Sequence, residues 1–116
     1  MHSPELETRT KQFALRIIKM FGKLPKRVEA EVLGKQVLRS GTSVAANYLE
    51  ACRGRSKAEL ISKLGIVEQE LAETKLWLEL LVEAEIVAAS KMSELQKETE
   101  ELLKIIVASI KTLKGR

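Results

Sequence analysis

Apolar residues recur at intervals of three and four through almost the whole chain, the spacing of one face of an α-helix, and breakers divide the pattern into four segments. The first runs from about Leu6 to Phe21. Phe13, Ile17, Met20, Phe21 and Leu24 form its stripe, and Gly22 and Pro25 supply stop signals. The second is predicted to begin at Pro25, tolerated in a first turn because its missing N–H would have no partner there. It continues through Val28, Val32, Val37, Val44, Tyr48 and Cys52. Gly34 and Gly41 interrupt it in composition. A glycine inside a helix costs roughly 1 kcal/mol relative to alanine, so the two predict close backbone approach to a neighbouring helix.

Beyond the turn-like Arg53-Gly54-Arg55, Ser56 is placed as an N-cap, with Glu59 completing an S-x-x-E capping box. The third helix is predicted to run through Leu60, Leu64, Val67, Leu71, Leu78 and Leu81 to about Glu85. The fourth follows Ser90, with a Ser-x-x-x-Glu start, and carries Met92, Leu95, Thr99, Leu102, Ile106, Ser109 or Ile110, and Leu113 in nearly unbroken heptad spacing. Both helices are apolar beyond one stripe. The third adds Ile61, Ile66, Leu76, Trp77, Leu80 and Val82, and the fourth adds Leu103, Ile105 and Val107. A helix apolar on two faces needs two partners, which a lone four-helix bundle does not supply, so homo-oligomerisation is predicted.

The pattern therefore predicts an all-α, left-handed, up-down-up-down four-helix bundle, one domain over residues 1–116, assembling into a closed ring. Composition agrees: aromatics are 3%, Asp is absent, and helix formers dominate the 116 residues. A chain of this length can bury a core without a metal or disulfide. The lone Cys52 gives no sign of an oxidising compartment, the polar N-terminus lacks the apolar region of a signal peptide, and no run approaches a membrane span. A cytoplasmic protein with no membrane partner is expected.

The same inventory bears on chemistry. The single histidine is His2, at an end where disorder is expected, so no nucleophile has a base; no Glu-x-x-His pair and no glycine-rich phosphate loop is present. No catalytic, cofactor-binding or metal site, no small-molecule substrate and no enzyme activity are expected. One segment resists simple patterning. Gln36, Ser40, Ser43, Asn47 and Glu50 recur every three or four residues as a polar ladder on one helical face. It reads either as close helix packing at the serines with Gln36, Asn47 and Glu50 in a buried network, or as a lined groove or channel.

Charge is uneven. Residues 1–63 carry 13 Lys and Arg against six Glu, and residues 64–116 carry seven against ten, within a net charge of +4. Lys19, Lys23, Lys26 and Arg27 cluster at the first helix junction, and Arg53, Arg55, Lys57 and Lys63 around the second, at opposite ends of an up-down bundle. These are either solvated helix ends or a phosphate-directed, salt-sensitive contact to nucleic acid. The candidate contact residues are Lys23, Lys26, Arg27, Arg39, Arg53 and Arg55. The competing reading is a protein-interaction scaffold that leaves nucleic acid alone.

The ladder from Gln36 through Arg39, Ser40, Ser43, Val44 and Asn47 to Glu50, with Arg55 and the Glu73-Thr74-Lys75 to Leu81 stretch, resembles the bacterial four-helix-bundle proteins encoded in intervening sequences of 23S ribosomal RNA genes. The likeness covers roughly residues 10–110. A related branch comprises the accessory variability proteins of diversity-generating retroelements. The resemblance implies an up-down four-helix protomer, a homopentamer shaped as a tapered barrel, and no known enzyme activity. Retroelement relatives are basic and associate with RNA and a reverse transcriptase, so RNA, DNA and a reverse transcriptase are the partners it implies.

Overall fold

The computed structural model describes residues 4–115; His2 lies outside them. Four helices follow in order, α1 (Pro4–Gly22), α2 (Val28–Cys52), α3 (Lys57–Glu83) and α4 (Ala89–Leu113), in an elongated body of 44 × 22 × 21 Å. The chain is an all-α four-helix bundle. Each helix packs on its neighbour in sequence and α4 closes back toward α1. The pairings run antiparallel: Gly34 lies by Phe21 and Gly41 by Ile17, while Ser40 bonds Thr74 and Glu50 meets Lys63. The α1–α2 and α3–α4 connections therefore share one end, and the α2–α3 connection lies at the other.

The core stripes follow heptad spacing. On α4, Met92, Leu95, Thr99, Leu102, Ile106 and Ile110 are buried, with Ile110 rather than Ser109 at the alternative position. On α3 the buried residues are Leu60, Leu64, Val67, Leu71, Thr74, Leu78 and Leu81. The hydroxyls of Thr74 and Thr99 donate to the carbonyls of Glu70 and Leu95 four residues earlier, so polar groups enter the core already satisfied. The indole N–H of Trp77 is buried with no hydrogen-bond partner among the described residues, a cost its packing against the core must offset.

Helix α2 keeps its predicted stripe at Val37, Val44 and Tyr48 but departs from it at its N-terminal end. Its buried stripe is Ala30, Gly34, Val37, Gly41, Val44, Tyr48 and Ala51, alternating four and three residues, with Ser40 beside it. Val28 and Val32, expected in the stripe, are 80% and 55% exposed. The reason is steric. A Cβ on Gly41 would stand 2.8 Å from Ile17 Cγ1, and one on Gly34 would stand 2.6 Å from Leu24 Cδ1. The side chains of Ile17, Phe21 and Leu24 pack onto the α2 backbone at the glycines, so the stripe runs through Gly34 and Gly41 with Val37, Val44 and Tyr48, and Val28 and Val32 fall beside it. The predicted close approach at both glycines is present, made by side chains of the neighbouring segment.

Helix starts also differ. Ser56 caps α3 as expected, its hydroxyl accepting from the Glu59 N–H at 3.1 Å. Helix α2 starts at Val28, not Pro25, with Arg27 at the extended N-cap position and no side-chain cap. Pro25 instead shapes the connection, its carbonyl accepting from Arg27 N–H at 2.9 Å. Helix α4 starts at Ala89, so Ser90 lies inside its first turn rather than before it. That shift originates at the end of α3. Glu85 adopts a left-handed φ of 60°, and the N–H groups of Glu85 and Ile86 donate back to Val82 and Leu81. This is a Schellman stop with Glu where Gly is usual, so no glycine announced it.

Of the apolar positions outside the stripes, Trp77, Val82, Leu103 and Ile105 pack against the core, Ile61, Ile66, Leu80 and Val107 are half-buried outside it, and Leu76 is 46% exposed. Two glycines should separate by sign. Gly41→Ala must push Ile17 aside and should lose about 1–3 kcal/mol, whereas Gly65, with nothing within 4 Å of its added Cβ, should gain about 0.4–1 kcal/mol as alanine. Thermal melts of both variants check this; equal shifts would refute the packing account.

Candidate nucleic-acid interface

The cations divide into two groups by what neutralises them. Four of them, Arg9, Arg39, Lys63 and Lys75, are struts between helices, while Lys11, Lys97, Lys104 and Lys111 along α1 and α4 make no ion pair among the described residues. Arg9 on α1 donates to both oxygens of Glu98 on α4, at 2.8 and 2.7 Å, and to Glu101 at 2.7 Å. Arg39 on α2 reaches Glu70 at 3.2 Å and Glu73 at 2.6 Å on α3. Lys63 bonds Glu50 and Lys75 bonds Glu100, each at 2.7 Å. Hydrogen bonds to Glu98 for Arg9, Glu70 for Arg39 and Glu100 for Lys75 are the main causes that raise those pKa values above their ordinary range. A raised pKa on a base contributes stability below its unfolded value and loses it only as pH climbs through the folded one. These cations therefore stay charged through neutral pH.

At the shared end of the α1–α2 and α3–α4 connections the arrangement changes. A cleft of about 550 Å³ opens between the C-terminal part of α1 and the N-terminal part of α4. Met20, Leu24, Ile86, Val87 and Leu95 form its apolar walls, and Arg16, Lys19, Lys23 and Lys91 its cationic lining, with one carboxylate, Glu94. Ile86 and Val87 are set there by the turn at Glu85, because their N–H groups fold back onto the Leu81 carbonyl. Behind the wall made by Leu24 and Pro25, a second cleft of about 470 Å³ carries Lys26 and Arg27. Among the described residues, none of Arg16, Lys19, Lys23, Lys26, Arg27 and Lys91 makes an ion pair.

The six candidate residues are thus not brought together. Lys23, Lys26 and Arg27 share one end, while Arg53 and Arg55 stand at the other, on the exposed turn that joins α2 to α3. Arg39 lies between, held by two carboxylates. Lys91 and Glu94 escaped the sequence reading because they come from the far end of the chain. The signal was the topology itself, since an up-down bundle puts its first and third connections side by side.

The polar ladder lies along the α2–α3 seam and is not a buried network. Only Ser40 is fully buried, sharing a 2.7 Å hydrogen bond with Thr74 on the facing helix. Asn47 is half-buried and donates to the Ser43 carbonyl of its own helix at 2.9 Å, Glu50 is exposed and paired with Lys63, and Gln36 is exposed. One helical face graded from exposed to buried explains the spacing: its middle touches α3 and its ends reach water.

The family model described as 23S rRNA-intervening sequence protein matches residues 5–108. The chain belongs to that family. Among solved structures, a protein of unknown function from the S23 ribosomal protein family of Bacteroides thetaiotaomicron is similar, at 35% identity and a TM-score of 0.85, over 90% of this chain and 97% of that one. No curated protein matches. Among the described residues no helix is long and apolar enough to cross a membrane, and no group of three His, Cys, Asp or Glu side chains could hold a metal ion.

For this intervening-sequence protein the two classes of cation predict different mutational outcomes. Arg39→Ala should cost up to about 1 kcal/mol of stability, the range of half-exposed ion pairs, and the loss should shrink in high salt. Lys23→Ala should leave the melting temperature within experimental error. Melts at low and high salt check both, and a larger loss for Lys23→Ala would contradict the division.

Proposed function

We propose that this protein is a non-enzymatic homo-oligomer that contacts RNA through phosphate-directed lysines and arginines at the ends of its bundle. The observation that carries the reading is the division of cations. Arg9, Arg39, Lys63 and Lys75 are neutralised by carboxylates on other helices, whereas six cations without an ion pair among the described residues, Arg16, Lys19, Lys23, Lys26, Arg27 and Lys91, gather at one end. Among the described residues Lys11, Lys97, Lys104 and Lys111 are also unpaired, but they are spread along α1 and α4. Unpaired lysines and arginines release condensed counterions on meeting phosphates, which makes such binding strong at low salt and weakly sequence-selective. Arg53 and Arg55 offer a second, separate contact at the opposite end. Arg39 is reassigned as a strut.

Self-association is supported by large apolar side chains left in water: Leu15, Ile18, Val28, Val32 and Leu76. A closed ring would multiply each basic end around its axis, and the family resemblance favours five copies. The same apolar residues favour a second reading, a protein-interaction scaffold with no nucleic-acid contact. Retardation of structured RNA at about 50 mM salt separates the two, since phosphate contacts are strongest there. The proposal expects retardation with a steep salt dependence, weakened by joint replacement of Lys23, Lys26 and Arg27 with Glu. No retardation at that salt would exclude it. Light scattering should give a multiple of the 13.0 kDa protomer mass, five being the favoured number, and a monomer would contradict assembly.

A further inference from the structure

We infer that the cleft between α1 and α4 binds an unstacked guanine nucleotide, either free or within single-stranded RNA. For the RNA source the inference rests on the reading above; for the free nucleotide it stands alone. The cleft's volume of about 550 Å³ lies in the range that holds a ligand of nucleotide size. Its walls at Met20, Leu24, Val87 and Leu95 are aliphatic, suited to the flat faces of a ring removed from water. Around them stand Arg16, Lys19, Lys23 and Lys91, four cations with no ion pair among the described residues, which supply phosphate contacts.

Base choice comes from Glu94. It is the one carboxylate lining the cleft, and among the described residues it makes no ion pair, although Lys91 stands one turn before it on α4. An ionised carboxylate offers acceptors only. Guanine alone among the four RNA bases presents two adjacent donors on its Watson–Crick edge, N1–H and the N2 amino group, which match the two carboxylate oxygens. Adenine and cytosine set a ring-nitrogen acceptor beside their amino group, and uracil flanks its single N–H with carbonyls, so each brings an acceptor against the carboxylate. In a duplex the guanine edge is already paired and its faces stacked, so the cleft requires an unpaired nucleotide. The four cations outweigh the one carboxylate, so the lining still attracts phosphate.

The test measures binding of the full-length protein to GMP, AMP and inorganic phosphate by titration calorimetry. In parallel, fluorescence polarisation at about 50 mM salt follows a single-stranded oligouridine carrying one central G, the same strand with A, and a duplex. GMP should bind about tenfold more tightly than AMP, the discrimination of one good bidentate contact, and the G strand should exceed the A strand similarly. Glu94→Gln, isosteric and exposed, should abolish that preference while keeping phosphate-dependent binding, and Lys91→Ala should weaken GMP and AMP alike. Equal affinity for GMP and AMP, or a preference unchanged in Glu94→Gln, would overturn the assignment. RNA binding without base preference would sink this inference and leave the phosphate-contact reading standing. Selective GMP binding without RNA binding would do the reverse. Capture of an acidic, leucine-bearing peptide with no GMP binding would reassign the cleft to a protein partner.

Discussion

Helix α2 lies so close to α1 that no room remains for a methyl group at Gly41, where a Cβ would stand 2.8 Å from Ile17. Its buried face mixes small residues, Ala30, Gly34, Ser40 and Ala51, with Val37, Val44 and Tyr48. The glycines let the side chains of Ile17, Phe21 and Leu24 pack directly onto the α2 backbone, where dispersion over many short contacts holds the seam. The rest of the bundle is arranged around this choice. With α2 drawn in against α1 and α3, the fourth seam, between α4 and α1, is the least closely packed. Arg9 joins that seam with its clasp on Glu98 and Glu101. Toward the other end no ion pair among the described residues closes it, and the cleft lined by Arg16, Met20, Lys91 and Leu95 is where it opens.

Electrostatics follows the same division. Where helices run side by side, some cations meet carboxylates on the neighbour, as Arg39 meets Glu70 and Glu73 and Lys75 meets Glu100, while Lys11, Lys97, Lys104 and Lys111 make no ion pair among the described residues. Half-exposed pairs of this kind add little stability individually, but they remove the charge from external partners. At the shared end of the first and third connections, Arg16, Lys19, Lys23, Lys26, Arg27 and Lys91 make no ion pair among the described residues, although Glu94 and Glu31 line the same clefts. The uneven charge of the sequence thus becomes a cluster of unpaired cations at one end, with partly neutralised flanks. A net charge of +4 could not have revealed this, because charge sums carry no information about pairing.

Much of the fold could be read from the chain before any coordinates. Heptad spacing located the stripes of α3 and α4, the Ser56 cap marked where α3 begins, and Gly34 and Gly41 signalled close packing. The errors share a physical cause, the weak signal of small residues. On the N-terminal part of α2 the contact face is written in Ala30 and Gly34, which periodicity of large apolar residues overlooks, and so Val28 and Val32 were drawn into a stripe they do not occupy, although Val37, Val44 and Tyr48 do. The start of α4 was displaced because Glu85 fills a left-handed position where a glycine would have announced the stop. The candidate site was legible only in part. Lys23, Lys26 and Arg27 were adjacent in sequence, whereas their companions Arg16, Lys91 and Glu94 become neighbours only through the topology, and Arg39 lost its candidacy to carboxylates more than 30 residues away.

The gathering of unpaired cations at one end is the claim on which the functional account depends. Acetylation footprinting of the lysines, read by mass spectrometry with and without RNA, examines it residue by residue. The account predicts that RNA protects Lys19, Lys23, Lys26 and Lys91 while Lys35 and Lys75, held by Glu31 and Glu100, react at unchanged rates. Protection spread evenly over the bundle, or confined to Lys35 and Lys75, would contradict it.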